Sequence, residues 1–363
     1  MDFLSLKPEA FGLDISDLSL KIIKLKKKRG VLSLASFGET KIKPGIIEEG
    51  EIKDEESLAK IIREALTKVR GKKLNSKYVV ASLPEEKAFL QVIQMPLMTE
   101  EELRRAVRFE AENYIPLPID KVYLDFQQVL PLYNHLDHLD VLIAALPKKT
   151  IDSYTSCLKK AGLIPRALEI ESQAISRALV KDEVSSSPLL LIDLGATRTS
   201  FIIFAGCCLR FTSSIQVSAQ KFTEAISKGL KVDLDEAEKL KLKYGIKDNT
   251  KNKGKEIFEA LIPLLSYLIE KIKTHLNYYQ SHASHEHLPS SKGVAKIFLC
   301  GGGANFQGLS DFISSELKIP VELGNPWVNI LPKSLKEVPA LPYKESLRYT
   351  TALGLALRGI RQK

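Results

Sequence analysis

The stretch Leu-Leu-Leu-Ile-Asp-Leu-Gly-Ala-Thr-Arg-Thr-Ser-Phe-Ile-Ile-Phe, residues 189–204, decides the fold of this chain. Its pattern predicts an apolar strand that ends at Asp193, a turn of small residues and a second apolar strand, which together form a β-hairpin. Such a turn suits a phosphate, because Gly195 lets backbone N–H groups approach an anion and Thr197 and Thr199 add hydroxyl donors. Asp193, at its strand end, can hold a hydrated Mg²⁺. Turns of this kind are common in loops that bind nothing. This pattern alone therefore does not identify a phosphate site, and further motifs are needed.

The same plan occurs near the start of the sequence. Residues 11–25 contain Asp14 at the end of a predicted strand, a polar turn that includes Ser16 and Ser19, and a second strand that carries Lys21. Two copies of one supersecondary unit can close on a single ligand from opposite sides. The repeat therefore predicts one site shared by two hairpins.

A glycine-rich turn completes the set. Residues 297–309 predict a strand, a turn formed by Gly301, Gly302, Gly303 and Ala304, and the start of a helix. Backbone without side chains can pass close under a flat ring or a phosphate.

Two aspartate-bearing hairpins followed by a strand, Gly-Gly-Gly-Ala and a helix resemble the nucleotide site of the actin, Hsp70 and sugar-kinase superfamily. Within it, the chain is most similar to the PilM family of type IV pilus assembly proteins, an FtsA-like branch. The phrase Met-Pro-Leu at residues 95–97, the acidic helix at 101–112 and Tyr-Ile-Pro at 114–116 are similar to the signature of that branch.

The resemblance implies an α/β, actin-like (ribonuclease H-like) two-domain fold with an FtsA/PilM-type inserted α+β subdomain. The predicted division of the chain is a first subdomain at 1–77 plus 163–187, the insert at 78–162, a second actin-like subdomain at 188–216 plus 294–363, and a nucleotide-capping helical subdomain at 217–293.

Periodicity predicts the elements of the first half of the chain. A stripe of apolar residues indicates a helix from Asp54, and Thr99 with Glu102 predicts a capping box at the start of another. Residues 185–188, Ser-Ser-Ser-Pro, predict a hinge between the domains. The predicted strands lie at 11–16, 19–25, 31–41, 78–83, 88–95, 122–130 and 139–146.

Composition is that of an ordinary soluble protein, with 44% hydrophobic and 27% charged residues among 363. Apolar runs fall far short of the roughly 20 residues that span a bilayer. The acidic start, broken by Pro8, predicts no signal peptide. Four cysteines without framework spacing predict reduced thiols, as in the cytosol.

The net charge of +9 is concentrated in runs such as residues 24–29 and 239–255. Solvated faces are the simplest interpretation. An anionic membrane surface is the second, because a peripheral partner of membrane proteins would lie beside one. Nucleic acid is the third interpretation, and we expect no such partner, since no aromatic residues interleave with the basic ones in a recognisable module.

Two further sets of side chains are candidates for the site. Glu238 and Lys241 share a helix face three residues apart, so the carboxylate could accept ribose hydroxyls while the lysine stem packs on adenine, although an exposed ion pair explains the same residues. Glu169, Glu171 and Gln173 open a helix where the superfamily places residues that orient an attacking water, and helix capping is the alternative role.

The first hairpin departs from the family pattern. Where relatives show Asp-Ile-Gly-Ser-Ser, this chain has Asp-Ile-Ser-Asp-Leu at residues 14–18. The change removes a glycine and adds Asp17, a like charge that faces a triphosphate and costs about 1 kcal/mol or more. We expect weakened ATP affinity, in the micromolar range or weaker.

The resemblance implies a cytoplasmic scaffold, peripheral to the inner membrane, that binds ATP or ADP with Mg²⁺ and hydrolyses it slowly at most. Its implied partner is the N-terminal cytoplasmic tail of PilN, held between the first subdomain and the insert, and through PilN the PilN/PilO complex; self-association is a further expectation. By the same resemblance Asp14 and Asp193 hold the metal through water, and the turn at Gly195, Ala196 and Thr197 binds phosphate.

Other functions remain open at this point. An FtsA-like or type II secretion scaffold would share the same elements. A sugar-kinase-type phosphotransferase needs an aspartate base and a sugar-binding set, which we do not find between residues 26 and 78. A histidine-rich stretch at 281–287 could hold a metal, but a polar loop is the simpler interpretation.

Overall fold

A computed structural model describes residues 9–129, 137–246, 252–282, 293–331 and 339–361. Its strands are, in chain order, β1 (Phe11–Ile15), β2 (Ser19–Lys28), β3 (Val31–Lys41), β4 (Ile47–Glu48), β5 (Glu51–Ile52), β6 (Arg70–Gly71), β7 (Tyr78–Leu83), β8 (Phe89–Pro96), β9 (Val122–Val129), β10 (His138–Pro147), β11 (Ile164–Ile170), β12 (Ser185–Leu194), β13 (Thr199–Gly206), β14 (Cys208–Ile215), β15 (Lys296–Cys300) and β16 (Val321–Leu323). Its α-helices are α1 (Glu55–Thr67), α2 (Glu100–Ala111), α3 (Lys148–Lys160), α4 (Glu171–Leu179), α5 (Ala219–Leu230), α6 (Leu234–Tyr244), α7 (Asn252–His282), α8 (Leu309–Leu317), α9 (Tyr343–Ser346) and α10 (Thr350–Arg361).

The first unit is a six-stranded sheet in the order β11-β7-β1-β2-β3-β6. Strands β1 and β2 pair as the predicted antiparallel hairpin, while β7 and β11 run parallel to β1. Helix α1 starts at Asp54, whose carboxylate accepts from the Ser57 N–H, and buries Leu58 and Ile62 against the sheet. Capping and apolar spacing therefore place this helix as the sequence predicts.

The second unit repeats this plan. Its five-stranded sheet has the order β14-β13-β12-β15-β16, with β12 and β13 antiparallel and β15 parallel to β12. Helices α5 to α8 cover one face, and their apolar residues share a core with Phe201 and Leu299 of the sheet. The repeated arrangement of the two sheets confirms the predicted actin-like α/β fold.

The third unit is the insert. Its three-stranded sheet has the order β8-β10-β9 and carries α2, which begins with the predicted Thr99–Glu102 capping box. Strand β7 pairs in the first sheet, and α3 buries Tyr154 and Leu158 in the first unit's core. Both elements that flank the insert, β7 and α3, therefore pack with the first unit.

Two helices cross between the units. Helix α4 follows β11 of the first sheet but packs Ile175 and Leu179 against strands of the second. Helix α10 follows the second sheet, yet packs Leu353 and Leu357 beside Ile23 of the first. Helix α10 thus follows the second sheet in the chain while its apolar face packs on the first unit.

The predicted hinge at residues 185–188 forms part of β12 instead. Ser185 pairs with Gly206 of β13, and the register shifts before Leu189. Polar composition predicted a turn here, but the neighbouring strand extends far enough to pair it. The histidine-rich stretch lies outside the described residues from 283 onwards. No helix in the described ranges is long and apolar enough to cross a bilayer.

Candidate functional site

The two hairpins and the glycine-rich turn face one cavity of about 340 Å³ between the two units. The structure brings together there most of the residues singled out from the sequence. They are Asp14, Ser16, Ser19, Lys21, Asp193, Gly195, Ala196, Thr197, Glu238, Lys241, Gly301, Gly302 and Gly303. Ala304 does not line this cavity, because its methyl group is buried in the core of the second unit.

Asp14 is buried at the end of β1 and is held by two neighbours. The Lys21 ammonium lies 3.4 Å from Asp14 Oδ2 and donates to Ser19 Oγ at 2.8 Å. The Ser82 hydroxyl, from β7, donates to Asp14 Oδ1 at 3.3 Å and accepts the Ile15 N–H at 2.8 Å. Sequence reasoning missed Ser82, although a polar residue inside an otherwise apolar strand was a visible signal.

Asp193 ends β12 on the other side of the cavity. Burial, together with the negative charge of Asp14, raises the pKa of Asp193 to about 6, which the Lys21 ammonium partly opposes. The Cys300 thiol donates to Asp193 Oδ1 at 3.7 Å. Gly301 has φ of +85°, and a Cβ there would lie 2.3 Å from the same oxygen. Only glycine allows the turn to approach the carboxylate this closely.

The three residues proposed to orient water are placed differently from one another. Glu171 lines the cavity, and burial followed by the charges of Asp14 and Glu86 raises its pKa well above the ordinary value. Glu169 is instead buried beside the crossing of α4 and α10, away from this cavity. The Arg177 guanidinium donates there to both carboxylate oxygens of Glu169, at 2.6 Å. Glu169 and Gln173 line a different cavity. The expectation that these two residues orient a water at the first cavity is therefore wrong.

Asp17 does not face the cavity as an unpaired charge. Arg198, in the turn between β12 and β13, lies 3.2 Å from Asp17 and 2.7 Å from Glu86. The Gly50 N–H also donates to Asp17, at 3.0 Å. This guanidinium offsets part of the charge of Asp17, since it is shared with Glu86, and it joins the two hairpin turns. Neither Arg198 nor Glu86 stood out in the sequence.

Glu238 and Lys241 of α6 form an ion pair at the edge of the cavity. Lys241 Nζ lies 2.6 Å from Glu238 and donates to the Ala219 carbonyl at 3.0 Å and to the Thr223 hydroxyl at 2.8 Å. Lys241 thereby ties α6 to α5 at the edge of the cavity. Thr199, expected to donate to phosphate, instead donates to the Val217 carbonyl and is fully buried.

The donor set fits a metal held through phosphate and water. In the part of the chain that the structure describes, no group of three or more His, Cys, Asp or Glu side chains is arranged to hold a metal ion directly. Asp14 and Asp193 nevertheless repel each other across the cavity. A hydrated Mg²⁺ with a nucleotide would relieve that repulsion, because Mg²⁺ usually keeps several waters and uses one or two carboxylates.

A second cavity, of about 380 Å³, lies at the junction of the insert with both other units. Asp125 and Gln127 of β9 form one wall, Glu169 and Arg177 another, and Cys208 of β14 a third. Arg358 of α10 donates to Glu169 at 2.9 Å beside it. The cavity is therefore polar and lies behind the crossing of the two helices.

The family described as Type IV pilus assembly protein PilM matches residues 12–360. The cell division protein FtsA of Enterococcus hirae is 22% identical over 350 residues, 86% of this chain and 78% of that protein. FtsA of Neisseria meningitidis is 23% identical over 221 residues, and the match spans half of that protein.

Solved structures agree with these matches. A PilM–PilN type IV pilus biogenesis complex contains a chain that is 28% identical, with a TM-score of 0.79 over 98% of this chain and 99% of that one. MreB5 of Spiroplasma citri bound to AMPPNP is 13% identical, with a TM-score of 0.56 over 97% of this chain and 96% of that one. The latter likeness concerns the fold alone.

Proposed function

We propose, from the premise that this chain belongs to the family of the type IV pilus assembly protein PilM, that it is a nucleotide-binding scaffold of a type IV pilus machine. In this function it works on the cytoplasmic side of the inner membrane and binds the N-terminal tail of a PilN-type membrane protein. The observation that carries the nucleotide part is the meeting of two hairpin turns and a glycine-rich turn around one cavity.

The nucleotide is ATP or ADP with Mg²⁺. Asp14 and Asp193 hold the metal through water, while the ammonium of Lys21 and the turn at residues 195–197 bind the phosphates. The backbone at Gly302 leaves room beneath the adenosine, because the nearest heavy atom to a Cβ there is 3.9 Å away. Glu238, 44% exposed in its side chain, accepts the ribose hydroxyls.

Hydrolysis is slow or absent in this proposal. Of Glu169, Glu171 and Gln173, Glu171 lines the cavity. Burial with the charges of Asp14 and Glu86 raises the pKa of Glu171, so it holds a proton more tightly than an exposed glutamate does. A protonated carboxyl cannot accept a proton from an attacking water. The nucleotide then acts by stabilising one relative orientation of the two units, which fits a scaffold better than a phosphotransferase.

The peptide tail binds in the second cavity. The solved structure with the 28% identical chain is a PilM–PilN type IV pilus biogenesis complex, so PilN is the partner carried over to this chain. The cavity here offers carboxylate, amide and guanidinium groups at the edge of the insert, which suit a peptide backbone and its polar side chains. It lies behind α4 and α10, which pack against each other, and α10 also packs against β1 of the first sheet.

Replacing Gln127 tests the assignment of this cavity. Gln127→Lys, on the wall formed by β9, should weaken binding of a synthetic PilN-type tail about tenfold by fluorescence anisotropy, because its added bulk and charge obstruct the entrance. Gln128→Lys is the matched control, since Gln128 is an exposed neighbour on the same strand that does not line the cavity. Equal affinities of the two variants would place the tail elsewhere.

A further inference from the structure

Seven basic residues form a local group on the surface of the first unit. Residues 26–29, Lys-Lys-Lys-Arg, continue β2 to its turn, and residues 27–29 are exposed. Lys72, Lys73 and Lys77 are exposed in the segment between β6 and β7. Lys26 and these three lysines line one open cleft of about 660 Å³. We call residues 26–29 with Lys72, Lys73 and Lys77 the basic face.

The basic face lacks neighbouring acids. Among the described residues that line the cleft, the acidic one is Glu9, and it is already paired with Lys24 at 2.9 Å. Within the described ranges, no carboxylate lies within ion-pair distance of any member of the basic face. The seven positive charges therefore repel one another, and an anionic partner would relieve that repulsion.

Basic residues elsewhere contrast with this arrangement. On α2, Arg104 and Arg105 each pair with a glutamate four residues earlier. On α3, Lys160 contacts two carboxylates of α1, at 3.0 and 2.9 Å. Single lysines elsewhere, such as Lys228 and Lys273, are also exposed without an ion pair in the described part of the chain. The basic face is distinguished by four lysines without such a pair that line one cleft.

Apolar side chains lie among these cations. Val31, next to the turn that ends the lysine run, is 50% exposed, and Ile164 at the rim of the cleft is 47% exposed. Six of the seven cations are lysines, whose long stems can lie against apolar groups while the ammonium reaches a phosphate. An exposed turn with a valine beside lysines suits a bilayer surface, where lipid phosphates lie above the acyl chains.

We infer that the basic face docks on an anionic phospholipid surface, with the turn at residues 28–31 at the headgroup layer. This contact is separate from the nucleotide cavity and from the peptide cavity. It would give the protein its own attachment to the membrane, independent of any membrane-protein partner, and orient the first unit towards the bilayer.

Vesicle flotation of the full chain tests the inference. The purified protein should float with vesicles that contain roughly one-third phosphatidylglycerol and remain unbound with phosphatidylcholine alone, and raising the salt concentration should weaken the binding. The variant Lys27→Gln/Lys28→Gln/Lys73→Gln should lose roughly fivefold in partition coefficient for each lysine, or about a hundredfold together. The matched control is Lys228→Gln/Lys239→Gln/Lys273→Gln, which removes the same charge from exposed positions of the second unit.

Three results would overturn the inference. The first is absence of binding to phosphatidylglycerol vesicles at low salt. The second is an equal loss of partition coefficient in the control variant. The third is release of the protein from the vesicles by polyglutamate or duplex DNA at a charge concentration lower than that of the vesicle lipid. The last would mean that the face takes an acidic protein or a nucleic acid instead. If the test variant fails to fold, the salt and lipid dependence of the unmodified chain decides the matter. Nucleotide and peptide binding should be unchanged in both variants, which keeps this test distinct from those of the proposed function.

Discussion

Carboxylates at the nucleotide cavity outnumber the cations near them. Asp14, Glu171 and Asp193 line it, and Lys21 is the cation that offsets them most directly, since its charge lowers the pKa of Asp193. The sequence predicts Asp14 and Asp193 because each ends an apolar strand before a polar turn. It does not predict Ser82, Glu86 or Arg198, whose partners lie far away along the chain.

Arg198 compensates for the unusual Asp17. A double-mutant cycle with Asp17→Asn and Arg198→Ala, read out as the free energy of unfolding in urea, should give a coupling energy of about 1 kcal/mol. The reason is that removing the guanidinium leaves two partly buried carboxylates, Asp17 and Glu86, without their cation. Effects that add to within about 0.3 kcal/mol would mean that the contact contributes nothing.

Asp193 also makes stability depend on pH. Its pKa rises from the ordinary 3.8 to about 6 in the folded protein, so the folded state binds the proton more tightly than the unfolded state does. The contribution of this group to the free energy of unfolding therefore falls as pH rises from about 4 to 6 and is constant above that range.

Urea unfolding of the ligand-free chain and of Asp193→Asn at several pH values isolates this effect. The stability of the original chain minus that of the variant should fall by on the order of 1 kcal/mol between pH 4.5 and 6.5. A difference that stays constant, or rises, would show that the carboxyl has an ordinary pKa.

At the scale of elements, local patterns predict most strands and helices well. Apolar periodicity and caps identify α1, α2 and both hairpins, because these features act within a few residues. They do not indicate which sheet a helix covers. Helices α4 and α10 each pack against the sheet of the other unit, and the apolar stripe on each would fit either sheet.

Gly354 allows the two crossing helices to approach. A Cβ at this position would lie 1.8 Å from the Ala174 carbonyl of α4. Gly354→Ala should lower the free energy of unfolding by roughly 2–4 kcal/mol, since both helices would have to separate. The measurement is urea denaturation.

Gly302→Ala is the control for that experiment. The nearest heavy atom to its Cβ is 3.9 Å away, so its stability should change little. Similar losses of stability in the two variants would contradict a role for close helix approach at Gly354.

At the scale of the whole molecule, the chain folds back so that residues near 14, 193 and 302 meet at one cavity. The internal repeat predicts this meeting, because two similar hairpins imply two similar units. The cavity behind the crossing could not be assigned to residues in advance, since it combines walls from all three units. Its members carry no shared local pattern.

The central claim is that the two hairpins and the glycine-rich turn bind one nucleotide, and calorimetric titration with Mg·ATP tests it most directly. We expect one ATP per chain with a dissociation constant in the micromolar range or weaker, and a loss of at least tenfold in Asp193→Ala. The exposed Asp120→Ala should bind as the original chain does. No heat up to millimolar Mg·ATP, or equal affinity in Asp193→Ala, would contradict the account.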